Sequence, residues 1–239
     1  MQYKLYNGKI LIDFDKEKHK FTDAKGNNIL SVTKITGIID KSPALMGWAV
    51  KSMGAYLLQE KNNKITEELI GRAKREYRNI SREAKDKGAA IHDWIHQWII
   101  GETSDMPDDE QIVNGITAFL KFQKKHKVAW LETERVVYSK KYNYGGFLDS
   151  IGIMDGKLIL PDFKSSNAFY PEMELQVAGY DIAYTEETKK PIQKHLIIRF
   201  GKDNGEFDIK EINNIEKSRK GFLGLIPAVK RLEELKKEY

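Results

Sequence analysis

Apolar and polar positions alternate in two short runs near the start of the chain, residues 9–14 and 19–22, around the polar stretch Asp15-Lys16-Glu17-Lys18. Alternation of this kind marks a strand with one buried face, so residues 3–22 predict a β-hairpin. Helical spacing follows. Ser31 predicts the cap of a short helix reaching Ile39, and Ser42-Pro43 predicts a second start, a capping hydroxyl followed by proline in the first turn, with the helix running to about Lys61. Residues 65–101 keep the helical period, with a break expected near Asn79-Ile80-Ser81, and residues 101–108 form a polar loop. Residues 109–125 put Ile112, Ile116, Phe119, Leu120 and Phe122 near helical spacing. The pattern then changes to strands at 129–138, 146–154 and 157–163, a helix at 171–188, strands at 195–200 and 207–212, and a helix at 215–237. A helical first half followed by β-β-β-α-β-β-α predicts an α/β (α+β) protein. The expected organisation is a single domain over 1–239, with a hairpin and helical addition in 1–80 and the core in 81–239.

One segment fixes more than its own secondary structure. Asp155-Gly156 between two apolar runs is a two-residue hairpin turn. Met154 then faces Lys157, and counting back along both strands puts Asp149 opposite Asp162. Directly opposed side chains lie about 4.5–5.5 Å apart at Cβ. Lys164 falls on the face of Asp162, together with Phe147, Ile151, Ile153, Leu158 and Leu160. An apolar face thus ends in two facing acids and a lysine. Opposed like charges destabilise a sheet, and a divalent cation between them would remove the repulsion, with oxygen ligands favouring Mg²⁺, Mn²⁺ or Ca²⁺. A salt-bridge cluster with Lys164 between two acids is the other reading of the same residues. Pro161 within the second strand implies an edge or a bulge.

Composition narrows the chemistry. The chain of 239 residues has no cysteine, which excludes disulfides, a thiolate nucleophile, a cysteine-ligated zinc and an iron–sulfur cluster. No signal-peptide pattern or long apolar run is present, so a cytoplasmic protein without a membrane span is expected. A net charge of +5 fits an anionic partner.

Asp149 followed by Pro161-Asp162-Phe163-Lys164 resembles the signature of the PD-(D/E)XK nucleases, and three further stretches are similar to the RecB-type exonuclease branch of that superfamily. Gly88-Ala-Ala-Ile-His92 resembles its helical Gly-x-x-x-His, Gly146-Phe-Leu-Asp149 its Gly-x-x-Asp strand, and Gln176-Val-Ala-Gly-Tyr180 its Gln-x-x-x-Tyr helix. Ser31-Val-Thr and Trp48-Ala49 resemble phage- or prophage-encoded relatives, and the missing cysteines set this chain apart from relatives with an iron–sulfur cluster.

The resemblance implies a restriction-endonuclease-like core, a central mixed sheet flanked by helices. It implies a Mg²⁺- or Mn²⁺-dependent deoxyribonuclease, an exonuclease before an endonuclease, serving recombination, repair or phage DNA metabolism, with DNA, single-stranded or with free ends, as partner beside a recombination or repair protein. His92, Asp149, Asp162 and the Phe163 carbonyl would hold the metal. Lys164 would position the attacking water or stabilise phosphate charge, and Gln176 and Tyr180 would orient the lysine and the DNA backbone. Glu134 matches an acidic family position, with Glu132 two residues away as the competing choice.

Arg75, Arg78, Arg82 and Lys85 recur at three- and four-residue steps, as a basic wall for phosphates or as a solvated face. Trp48, Phe169 and Tyr170 are candidates for stacking on bases, or for packing, and Ser165 is a further candidate for contact with nucleic acid. His92 and His96, four residues apart, admit a second reading as a zinc peptidase site, although Asp93 stands where such a site has glutamate and no third ligand motif follows. A DNA-binding module without catalysis is a third reading.

Overall fold

The computed structural model describes residues 1–15, 18, 20–102 and 105–239. His19 of the second expected strand, and Thr103 and Ser104 of the expected loop, lie outside the described residues, as do Lys16 and Glu17. The strands are β1 (Gln2–Leu5), β2 (Ile10–Asp15), β3 (Lys20–Asp23), β4 (Asn28–Ser31), β5 (Ala129–Ser139), β6 (Tyr144–Met154), β7 (Lys157–Lys164), β8 (Lys194–Phe200) and β9 (Phe207–Glu211). The helices are α1 (Val32–Thr36), α2 (Ser42–Gln59), α3 (Glu67–Ile99), α4 (Glu110–His126), α5 (Pro171–Thr188) and α6 (Ile215–Leu235). The chain divides into two compact units, Met1–Ile38 with Ile91–Tyr239, and Ile39–Ala90.

The first unit is a mixed sheet with helices on its faces, the architecture expected from the element order. Its strands run β1-β2-β3-β4-β6-β7-β8-β9, with β5 paired to β6. The β4–β6 and β7–β8 pairs are parallel and the others antiparallel. The strands of the first 31 residues therefore extend this sheet and include two more strands than a single hairpin.

Successive residues of a strand point to opposite faces, and β7 and β8 are apolar on both, as a parallel strand covered on both sides must be. On one face Leu160 and Ile197 pack with Val32 and Ile35 of α1, Val177 and Tyr184 of α5, and Phe222 and Ile226 of α6. On the other, Ile159, Phe163, Ile198 and Phe200 pack with Ile91 and Ile95 of α3 and Phe119 and Phe122 of α4. A third cluster joins Leu5, Ile12, Phe14 and Phe21 of the N-terminal strands to Val136. Phe147 packs there, against Phe14 and Phe21, and Ile153 is 39% exposed, so neither continues the buried face expected for the β6–β7 hairpin. Helices α5 and α6 touch at Gly179, where a Cβ would lie 2.7 Å from the buried Phe222 ring.

The second unit holds α2 and the first part of α3. Ser42 is the first residue of α2 and not its cap. Its amide donates to Asp40 Oδ1 at 2.8 Å, so the aspartate two residues upstream accepts the orphan N–H that the serine was expected to serve. The break expected near Asn79 does not occur. Asparagine and serine cost a helix only a few tenths of a kcal/mol each, and no glycine or proline stands there to stop it. No described helix is long and apolar enough to cross a membrane.

Candidate active site

The site is made by a gap in the sheet. One edge of β6 is occupied by β5 from Tyr144 to Ile153. The other edge pairs with β4 at Tyr144 and Gly145, and with β7 only at Gly152, Ile153 and Met154. Among the described residues, 146–151 of β6 thus border no strand on that side. The turn forms as its sequence predicts, with Asp155 at φ 51° and Gly156 at φ 71° and Met154 facing Lys157. The pairing then stops at Gly152–Ile159, so Asp149 and Asp162 are not ladder partners as counting from the turn predicts.

Pro161 supplies the reason. The Leu158 carbonyl accepts the Gln193 N–H at 2.9 Å on the β8 side, so by alternation residues 159, 161 and 163 direct their backbone groups toward β6. Pro161 has no N–H to give there. Two residues on, the Asp149 side chain takes over, its Oδ2 accepting the Phe163 N–H at 2.6 Å. The carboxylate does across the gap what a ladder carbonyl would have done. The same alternation directs the Phe163 carbonyl to this side.

Around the gap the structure brings together His92 of α3, Asp149 of β6, and Asp162 and Lys164 of β7. His92 Nδ1 lies 3.4 Å from Asp149 Oδ1, and Lys164 Nζ lies 2.5 Å from Asp162 Oδ2. Asp162 is 1% exposed, and its Oδ1 has no hydrogen-bond partner. Burial, with the nearby Asp149 charge adding to it, pushes the Asp162 carboxyl up to about 6 against the pull of Lys164. Burial acts on Asp149 in the same direction, but the His92 ring, Lys164 and the Phe163 amide outweigh it and hold that carboxyl below its ordinary range. Burial would lower both His92 and Lys164, and the two carboxylates raise them instead. The two acids are therefore set apart by their surroundings, one ionised and hydrogen-bonded, the other buried beside a single ammonium group.

Gln176 and Tyr180 follow on α5. Gln176 Nε2 donates to the Tyr180 hydroxyl at 2.9 Å. Burial, then the charges of Asp162 and Asp149, raise the Tyr180 pKa far above 10. The tyrosine ring fits under Gly146, where a Cβ would meet Tyr180 Cε1 at 2.7 Å and Val32 Cγ2 at 3.0 Å. Gly146→Ala is expected to force both buried groups aside at a cost of about 1–3 kcal/mol. The urea midpoint should fall accordingly, and a midpoint equal to that of the parent chain would contradict this packing.

Glu132 and Glu134 differ in their contacts. Glu132 pairs with Arg135 and accepts the Tyr184 hydroxyl at 2.9 Å, so it is engaged on α5. Glu134 has φ 46°, left-handed backbone within a strand, and lines a cavity of about 370 Å³ together with Asp149 and Tyr180. His96 does not join His92. Its Nδ1 is 3.3 Å from Thr133 Oγ1, which in turn donates to the Asp149 carbonyl at 3.2 Å. The paired-histidine zinc reading thus finds its two ligands serving different partners.

Ser165 and Tyr170 lie in the connection from β7 to α5, with Tyr170 exposed. Trp48, Arg75, Arg78 and Arg82 belong to the second unit. The three arginines are exposed on α3, and Trp48 packs edge-on to Tyr77 with ring centroids 6.0 Å apart. Sequence reasoning missed Thr133 and the aromatic residues of the N-terminal strands that reach the cavity beside Asp149. Their alternation signals burial but not what they are buried against.

In kind, the donors suit a hard divalent cation. There are two carboxylates, an imidazole, a backbone carbonyl, and a buried carboxylate oxygen without a partner. In arrangement, no group of three such side chains is gathered as a metal-binding cluster among the described residues, since Asp162 faces Lys164.

No protein-family model matches the sequence, and no curated protein matches it. Solved structures are similar in part. A Eubacterium rectale protein provisionally described as an exonuclease aligns over 62% of this chain and 68% of its own, with a TM-score of 0.43 and 11% identity. LHK-Exo, an alkaline exonuclease of Laribacter hongkongensis, solved in complex with dAMP, aligns over 88% and 94% with a TM-score of 0.40 and 11% identity.

Proposed function

We propose that this protein is a divalent-metal-dependent DNA nuclease that degrades from free ends, a member in function of the PD-(D/E)XK group its motifs resemble. The observation that supports this most is the gap along β6, where one buried aspartate, one hydrogen-bonded aspartate and a lysine stand together beside a histidine. The buried Asp162 Oδ1 has no partner, such a group costs about 1–3 kcal/mol or more, and a bound cation would offset that cost.

In this reading His92, Asp149, Asp162 and the Phe163 carbonyl hold Mg²⁺ or Mn²⁺. The cation supplies Lewis acidity toward the phosphate oxygens. The remaining work belongs to the chain's own groups. Asp149 is fixed by the Phe163 amide and His92, so its free edge is oriented before substrate arrives. Lys164 carries its charge at the mouth of the gap, where it stabilises the negative charge that develops on the phosphate and orients the attacking water. Tyr180, kept protonated and held by Gln176, stays a donor toward the same place. Ser165 directly follows the strand on which Lys164 sits, and Tyr170 stands at the start of α5. In the other unit, Trp48 and the arginines 75, 78 and 82 are groups that stack on bases and neutralise phosphates. A recombination or repair protein would deliver the DNA end.

The test is the fate of linear against covalently closed circular DNA, each single- and double-stranded, in Mg²⁺. Loss of linear DNA alone is the expected result. Cut circles would make the enzyme an endonuclease. DNA bound but intact under all conditions would favour a binding module on the same fold.

A further inference from the structure

We infer that the cavity beside Asp149 is a nucleobase site, which takes the base of the nucleotide next to the phosphate being cut and holds it by stacking. The assignment of that phosphate rests on the nuclease reading, whereas the base-binding chemistry rests on the cavity itself. Its volume of about 370 Å³ suits a single nucleoside, at the lower end of the roughly 300–1,000 Å³ typical of ligand pockets.

Its wall is aromatic. Tyr3, Phe14, Phe21 and Phe147 line it, and they come from four different strands, β1, β2, β3 and β6. Their rings brace one another. Phe14 and Phe147 lie edge to face at 4.7 Å and Tyr3 and Phe147 at 5.8 Å, while Phe14 and Phe21 are tilted by 40° at 4.6 Å. Phe14 and Phe21 are buried, while Tyr3 and Phe147 keep part of their surface open. Tyr3 and Phe147 thus present open aromatic surface to the cavity, which a planar apolar ligand would cover.

The polar groups at the rim select against an anion. Glu134 and Asp149 both line the cavity, so a phosphate there would meet two carboxylates. A neutral ring with N–H edges would instead find acceptors in Glu134 and in the Ser31 and Thr33 hydroxyls, which lie 3.1 Å from each other. The left-handed backbone of Glu134 adds an independent sign. A non-glycine residue at φ 46° within a strand costs about 1–3 kcal/mol, and such strain is kept where a side chain must point to a particular place. The pairing of β5 with β6 lapses at the Glu134 and Asp149 positions and resumes in the same register, so the distortion re-aims a single residue.

Because every base has a π-face, stacking of this kind tolerates sequence. The site therefore fits an enzyme that removes successive nucleotides whatever their identity.

The test uses the whole chain, titrated by calorimetry with thymidine 5′-monophosphate and with 2-deoxyribose 5-phosphate, in excess Mg²⁺. The nucleotide should bind at least about fivefold more tightly than the base-free sugar phosphate, the low end of what base-on-aromatic stacking supplies. Tyr3→Leu and Phe147→Leu keep apolar bulk and remove the ring, and each should shrink that ratio toward one. Equal binding of the two probes, no binding of either, or a ratio unchanged in both variants would overturn the proposal. The base preference persisting in a chain that cleaves no DNA would instead count against the nuclease reading alone.

Discussion

Lys164→Ala is expected to lower single-turnover DNA hydrolysis by about 10³-fold, the upper range for removing one preorganised charge at a developing oxyanion. The fold is expected to survive although this side chain is mostly covered, because its ion-pair partner Asp162 can be neutralised by a proton. The change does leave Asp162 as a buried acid without its cation. Burial already raises that carboxyl to about 6 with Lys164 present. Without Lys164 the acid escapes the penalty by binding a proton, so near neutral pH the variant folds with Asp162 neutral. Loss of activity with an intact melting transition is the expected pair of results. Activity within tenfold of the parent chain would remove Lys164 from the chemistry.

Asp181→Ala should have the largest effect on stability. Asp181 of α5 is fully buried, with His195 Nε2 of β8 at 3.0 Å from Oδ1 and the Arg219 guanidinium of α6 at 2.5 Å from Oδ2. One carboxylate thus ties two helices to a sheet strand. Removing it strands a buried histidine and a mostly covered arginine, at a cost of about 3 kcal/mol. For a chain of this size that lowers the melting temperature by roughly 6–12 °C. Burial opposes ionisation of Asp181, but His195 and Arg219 outweigh it and hold the carboxyl below its usual 3.8. A depressed acid contributes its stability above the unfolded-state pKa and loses it as pH falls through the folded one. The difference between parent and variant should therefore be complete at neutral pH and shrink only below about pH 4. A difference that disappeared between pH 6 and 8 would contradict this account.

The sequence carried the local structure well where a local signal existed. Proline at the first helical turn and the αL end set α5 at the bounds its pattern predicts, and Asp155-Gly156 dictated the hairpin and three pairs of its register. The failure that matters for the site was non-local. Whether β6 and β7 stay paired beyond Gly152 depends on Pro161 withholding a donor and on Asp149 replacing it with a side chain, neither of which periodicity reports. The Ser42 cap failed locally, because two capping side chains stand two residues apart and Asp40 is the one that accepts. The grouping of His92, Asp149, Asp162 and Lys164 was legible because the motifs fall in order on one helix, α3, and two successive strands, β6 and β7. The aromatic cavity was not, since Tyr3, Phe14 and Phe21 meet Phe147 across more than 120 residues of intervening chain.

The most direct measurement is the release of nucleotides from end-labelled linear DNA by the parent chain and by Lys164→Ala, in Mg²⁺, in Mn²⁺ and in EDTA. The account predicts progressive release by the parent chain in either metal, none in EDTA, and none above background for the variant. Release that persists in EDTA, or that the variant matches, would contradict it.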